Sequence, residues 1–327
     1  MKRANNITII IYFKYINMKK DVLFKISIYL CIICIVLQFF TINNNSNSNS
    51  NMKLIFLGDC MFGRNGNAFT KEPFINVGAL FKEATHIFLN LETTISTPLL
   101  SDDYKEDKVF NYQSNGEHLL SLKGVTNKPI FTSIVNNHTL DYGLKGFENT
   151  KEFLRNNNFL YTVKQKIEKN NIVFLNATDH CGCSDPDFWG EHVIMLDYNN
   201  LEPIYQKVLA LKNKFIVFSI HWGPNWVNGE MDEKIKLFGR KLIDNGVNIV
   251  FGHSSHHILD NPVEEYNNGI IIYGLGDFIN DYSIKKKYKS DEALICMIDK
   301  KGNKLSYQNI KVKRKFVKDG GSIPEIV

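Results

Sequence analysis

From residue 52 onward, short runs of apolar, β-branched and aromatic residues alternate with longer stretches of helical period. Residues 53–57, 86–89, 130–135, 172–176, 193–196, 214–220, 247–251 and 270–273 have strand length and strand composition. Between several of them the period changes. Residues 144–156 place Leu144, Phe147, Phe153 and Leu154 at helical spacing, and residues 231–245 do the same with Ile235, Phe238, Leu242 and Ile243 before Gly246, which suits a C-cap. Residues 293–299 and 304–312, separated by Lys301-Gly302-Asn303, read as a closing hairpin. The sum predicts an α/β domain with a mixed sheet or a pair of sheets.

The first fifty residues follow another pattern. Residues 26–42 are almost wholly apolar, with Ser27, Gln38 and Thr41 as the polar exceptions, which is about the shortest run that spans a hydrocarbon core. Lys19 and Lys20 precede the run and an Asn/Ser tract follows it, so the N-terminus is expected in the cytosol and the main domain on the far side. A signal peptide starting at Met18 competes with an uncleaved anchor, although no small-x-small cleavage site follows. A start at Met52 would instead leave the domain cytosolic. The expected organisation is a cytosolic segment at 1–21, a signal anchor or signal peptide at 22–42, a flexible Asn/Ser-rich linker at 43–51 and one domain at 52–327.

Composition narrows this only a little. With 327 residues, 44% hydrophobic, the chain can bury a substantial core as one large domain or two small ones. The net charge of +5 is modest and partly terminal, so it does not argue for nucleic acid. The basic tail at 311–318 lacks a stacking pattern or groove-reading motif and reads as a solvated strand edge. Six scattered cysteines are too few for a disulfide framework. Cys181 and Cys183 give a weak metal or redox signal, beside the plain reading of a loop with two thiols.

Chemistry enters at the ends of the apolar runs. Six stretches close such a run with a metal-ligand side chain: Gly58-Asp59-Cys60-Met61, Asn90-Leu91-Glu92, Asn136-Asn137-His138, His221-Trp222-Gly223, Gly252-His253-Ser254-Ser255-His256-His257 and Gly274-Leu275-Gly276-Asp277-Phe278. Strand ends are where ligands collect in open α/β sheets. Asp59 alone could be a turn residue, Glu92 alone a carboxylate with a cationic neighbour, and His221 alone a hydrogen-bonded core histidine. His253, His256 and His257 are three of nine histidines within five positions, and imidazoles clustered without acidic neighbours favour Zn²⁺, Fe or Mn²⁺ over Ca²⁺. Asp141, three residues after His138, is placed to orient it through its second nitrogen. Trp222 and Trp226 read equally as pocket rim and as loop packing.

Taken together these motifs resemble the poly-γ-glutamate capsule biosynthesis protein (CapA) family, a branch of the calcineurin-like metallophosphoesterase superfamily, over about residues 52 to 283. The resemblance implies a four-layer α/β/β/α sandwich, here preceded by one hydrophobic helix, with a centre for two divalent metal ions, or one, at the strand ends. It implies Asp59 and His256 on one metal, Asn137, His221 and His253 on the other, Glu92 as the bridging carboxylate, His138 as general acid and a hydroxide held between the ions as nucleophile. Asp277, His257 and Asn90 are candidate supports. The chain departs from the superfamily pattern in carrying Met61 where a histidine is expected, Glu92 for an aspartate, and His-x-x-His for His-x-His. The expectation is therefore a lopsided centre of Mn, Fe or Zn, weaker on the Asp59 side. The implied function is metal-dependent hydrolysis of an anionic phosphoester or γ-glutamyl polymer; the alternative is a non-catalytic, membrane-anchored component for assembly or export of such a polymer. The expected partners are that anionic substrate and, through the N-terminal segment, the membrane, with no nucleic acid.

Overall fold

The structure is a computed structural model describing residues 51–63, 72–180, 182, 186–316 and 322–327. The apolar run at 26–42 and the Cys181/Cys183 pair lie outside these residues. Among the described residues no helix is long and apolar enough to cross a membrane.

The chain lays down one sheet, moves to a second, and returns. Its first half forms β1 (Met52–Cys60), helix α1 (Gly78–Glu83), β2 (His86–Leu91), the small parallel pair β3 (Thr94–Ile95) and β4 (Gln113–Ser114), helix α2 (Glu117–Val125), β5 (Ile130–Ser133), helix α3 (Gly143–Asn156) and β6 (Leu160–Thr162). The second sheet takes β7 (Ile167–Lys169), β8 (Ile172–Thr178), β9 (Phe215–His221), β10 (Ile249–His253), β11 (Val263–Tyr266) and β12 (Gly269–Ile272), with helices α4 (Pro186–His192), α5 (Glu202–Leu209) and α6 (Glu233–Asp244) between them. The return adds β13 (Asp277–Ile279) and the antiparallel run β14 (Glu292–Lys301), β15 (Lys304–Phe316) and β16 (Ser322–Ile326). The eight-stranded sheet runs β16-β15-β14-β1-β2-β5-β6, with β13 also on β1, and the six-stranded sheet runs β11-β12-β10-β9-β8-β7.

Alternation along each strand sorts residues into three cores. Phe56, Phe88 and Phe131 from the first sheet meet Phe174, Val217 and Phe251 from the second, and the Phe56 and Phe88 rings stack 4.5 Å apart. Their neighbours Ile55, Ile87 and Leu89 point the other way, onto Phe81 of α1, Leu119 of α2 and Phe147 of α3. Likewise Val173, Phe218 and Val250 face Val208 of α5 and Phe238 of α6. The order of layers is helix, sheet, sheet, helix. Because the central strands are covered on both faces, they read as continuous apolar runs. Each fully buried Phe contributes roughly 1.5–3 kcal/mol.

Two expectations change. Residues 193–196 form no strand; only Met195 bridges to Thr178, because Val193 N–H still bonds to Trp189 O in the tail of α4. Trp222 is wholly buried against α6, its Nε1–H donating to Tyr273 O at 3.1 Å, and is no part of a rim. The helix at 231–245 begins at Asp232, whose carboxylate accepts Lys234 N–H, and ends before Gly246 at φ 107°.

Register brings the chemistry to one edge. In parallel pairing Asp59 lies beside Asn90 on one side and Asp277 on the other, while His253 lies beside His221, itself beside Thr178.

Candidate metal centre

Asp59 is held before anything else binds. Its Oδ1 accepts Asn90 Nδ2–H at 2.7 Å and its Oδ2 accepts Ser254 N–H at 3.1 Å. Asn90 in turn accepts from Asn136 Nδ2–H at 3.0 Å, so three strand ends are tied into one amide chain. The approach of β1 to β13 requires Gly58, since a Cβ there would sit 1.8 Å from Gly276 O. Burial, then the charge of Asp277, push Asp59 up to about 6. Burial and the charge of Asp59 raise Glu92 well above the usual carboxylate range. Both shifts express the same condition, several carboxylates in one dry place.

Asp59, Glu92, His256 and Asp277 each offer a ligand atom within 4.8 Å of the others, and so do Asp59, His221 and His253. Asp59 is common to the two groups. His256 Nδ1 lies 2.8 Å from Asp277 Oδ1. Burial opposes protonation of His256, but the charge and hydrogen bond of Asp277 outweigh it and push the group up to about 10. His221 and His253 behave oppositely: burial pushes His253 down to about 3, and burial with the neighbouring His253 keeps His221 well below the usual imidazole value. Their Nδ1 atoms lie 2.9 Å apart, and Ser219 Oγ fixes His253 Nε2 at 2.9 Å.

Among the described residues, Glu92 Oε1, Asn137 Oδ1 and His221 Nε2 are buried without a hydrogen-bond partner. Glu92 Oε1 is 3.9 Å from His221 Nε2 and 3.9 Å from His138 Nε2. Leaving one such atom unsatisfied costs about 1–3 kcal/mol. Divalent cations are the partners such atoms would take, and a set of carboxylate, amide and imidazole donors fits Mn²⁺, Fe or Zn²⁺. The residues therefore fit the metal group that the sequence motifs imply.

His138 faces this cluster from the cavity side. Its Nδ1 lies 2.8 Å from Asp141 Oδ2, Asp141 Oδ1 pairs with Lys108, and the Tyr112 ring stacks on the imidazole at 4.1 Å. Burial lowers the His138 pKa, and Asp141 partly opposes that. A cavity of about 540 Å³ opens here, lined by Asn137, His138, His180, Trp226, His256 and Tyr282 among others. The loops at its base are strained, with Trp226 at φ 60°, Ser254 at φ 108° and His256 at φ 58°. Such left-handed non-glycine residues cost about 1–3 kcal/mol each and cluster at functional sites.

Asp59, Glu92, Asn137, His138, Asp141, His221, His253, His256, Asn90 and Asp277 thus meet around one centre. His257 does not join them: its Nδ1 bonds to Ser255 O at 2.7 Å and its ring lies against Trp226 and Tyr288. The Asp59 side is richer than the motifs suggested, because β13 delivers Asp277 to it. Met61 Sδ instead accepts Gly63 N–H at 2.9 Å. Sequence reasoning missed Arg314, which is buried and donates to Asn280, whose amide donates to Asp277. The signal was its inward position, two residues from buried Val312 in an otherwise lysine-bearing strand. It also missed the pair Asp179–His180 after β8, with His180 edge-on to His221 at 5.6 Å.

The comparisons with known proteins bear on this arrangement. A PGA biosynthesis protein CapA of Bacillus subtilis is 29% identical over 246 residues, 69% of this chain and 62% of the relative. A probable polyglutamine synthesis accessory protein of Mycobacterium tuberculosis is 29% identical over 234 residues, 63% of this chain and 58% of the relative. The chain thus spans less than two thirds of the length of these curated relatives. A crystal structure described as a novel phosphatase from Mycoplasma pneumoniae superposes with a TM-score of 0.49 at 13% identity, covering 81% of this chain and 94% of its own. The sequence model described as bacterial capsule synthesis protein PGA_cap matches residues 53–282, from the first residues of β1 to just past β13 and so across every strand end that supplies the centre, and the chain belongs to that family.

Proposed function

We propose that the chain is a metal-dependent hydrolase of an anionic substrate, a phosphoester or a γ-glutamyl polymer. The observation that carries this reading is the set of unpartnered donors, Glu92 Oε1, Asn137 Oδ1 and His221 Nε2, beside a His138–Asp141 pair on a cavity. Divalent ions in such a centre supply Lewis-acid polarisation of the scissile bond and activation of water. His138 has Nδ1 committed to Asp141, so its Nε2 is the atom left to give a proton to the leaving group. Asn90 and Ser254 N–H fix the Asp59 carboxylate, so its geometry needs no rearrangement on binding. Lys108, bonded to both Asp141 and Asn137 O, ties the acid to the ligand loop.

The names of the relatives, a PGA biosynthesis protein and a polyglutamine synthesis accessory protein, favour a second reading in which the centre binds polymer during its assembly without cleaving it. In either reading the basic residues before the apolar run at 26–42 support a membrane-anchored domain outside the cytoplasm. Metal analysis of the full chain, then assays with a generic phosphodiester and with γ-glutamyl oligomers under added Mn²⁺, separate the two. Hydrolysis predicts bound metal and a His138→Ala loss of kcat of about 10²–10⁴-fold. Absence of bound metal, or His138→Ala activity equal to wild type, would sink the enzyme reading.

A further inference from the structure

Beside the cavity the chain turns through Lys285-Lys286-Lys287-Tyr288-Lys289, a short 3₁₀ turn at Lys286–Tyr288 closed by Lys289 at φ 46°. All four lysines are exposed. Elsewhere on the surface Lys53, Lys105, Lys151, Lys214 and Lys311 each meet a carboxylate. Among the described residues none of Lys285, Lys286, Lys287 and Lys289 has such a partner. The turn is also firmly held: Lys285 N–H donates to Ser290 Oγ at 2.8 Å, and buried Arg314 donates to Ser290 O. A fixed turn that concentrates four like charges works against its own stability, and an anion relieves it.

The turn joins the cavity. Lys285 lines it, with Nζ 3.7 Å from the centre of the Trp226 ring, and Trp226 stacks on His256 at 5.1 Å. The same cavity is also lined by Glu106, Asp107 and Lys108. We infer that the 285–289 turn is a docking surface for a polycarboxylate chain, which runs from the metal centre past Trp226 and out over the lysines. This rests on the proposed function for the substrate's anionic class but concerns binding outside the centre. Lysines, as separate and strongly hydrated point charges, suit single anionic groups spaced along a flexible chain better than paired, bidentate recognition. A nucleic acid would need open ring faces, but Trp226 is stacked on His256 beneath Lys285 and Tyr288 packs on His257. An anionic membrane surface also attracts clustered lysines, so anionic vesicles form a separate arm of the test.

The test measures binding of poly-γ-glutamate oligomers to the full chain at several salt concentrations, for wild type, the triple variant Lys286→Glu/Lys287→Glu/Lys289→Glu, and a control, Lys53→Glu, at the far end of β1. Affinity is expected to fall about tenfold or more in the triple variant with a flatter salt dependence, while Lys53→Glu and the metal content stay as in wild type. The single variants Lys286→Ala and Lys287→Ala give graded losses if the triple variant does not fold. Equal oligomer affinity in wild type and variants overturns the inference, as does equal or tighter lysine-dependent binding of single-stranded DNA or of anionic phosphatidylserine vesicles. Lysine-dependent oligomer binding in a protein that hydrolyses nothing supports this inference and removes the hydrolase reading instead.

Discussion

Inside the centre, His256 and Asp277 face each other at 2.8 Å with both side chains buried. In metal-stripped protein His256 binds its proton far more tightly folded, at about 10, than at its ordinary 6.5. A group raised in this way adds stability that is fully present below about pH 6.5 and is lost as the pH rises through about 10. Denaturation of the stripped protein across that window is therefore expected to show a stability loss of a few kcal/mol, at roughly 1.4 kcal/mol per tenfold in proton affinity. Asp277→Asn should flatten it; an unchanged slope would mean that the pair is not charged in the folded state. At this scale the sequence was legible where a candidate ligand ended an apolar run, as with His221 at the end of Phe215–His221. It was less legible for Asp277, whose partner is 21 residues away, and for Arg314, whose side chain reaches Asn280 only through pairing of β15 with its neighbours. Contacts of that kind are set by register between strands distant in the chain, which local pattern does not encode.

Strand β1 governs the next scale, because it pairs with β2, β13 and β14 at once. Gly58→Ala would drive a Cβ into Gly276 O and push β13, with Asp277, away from Asp59. We expect a loss of about 3 kcal/mol or more in denaturant unfolding and reduced metal content, whereas Gly302→Ala, with open space around it, should leave metal content unchanged. Arg314→Leu removes the donors to Asn280 and Ser290 and is expected to cost about 1–3 kcal/mol for each buried acceptor left unpaired. Element types were readable where one face or both were buried: the helices at 143–156 and 233–244 and the β14–β15 hairpin sit within a few residues of their predicted ranges. The three-residue strands β6, β7 and β13 were not readable, being too short to show a period, and 193–196 was misread because a buried helix tail and a buried strand look alike over four residues.

Across the whole molecule the centre joins both sheets: Asp59, Glu92 and Asn137 come from the first, His221 and His253 from the second, and His256 from the loop after β10. A cation bound there would link the two layers, and binding to the folded chain alone stabilises it by about 2.7 kcal/mol at a hundredfold excess over Kd. For a domain of this size that is a rise in Tm of about 5–10 °C when Mn²⁺ is returned to chelator-treated protein, and Glu92→Gln should reduce the rise. The residue pattern left one mixed sheet or a pair of sheets open, since composition cannot say on which sheet a covered strand lies; the family resemblance implied the pair. The most direct test of the account is anomalous diffraction at the manganese edge from crystals of the full chain grown with Mn²⁺. The account predicts density within coordination distance of Glu92 Oε1, Asn137 Oδ1 and His221 Nε2; crystals showing manganese only elsewhere, with these three atoms bonded to protein or solvent, would contradict it.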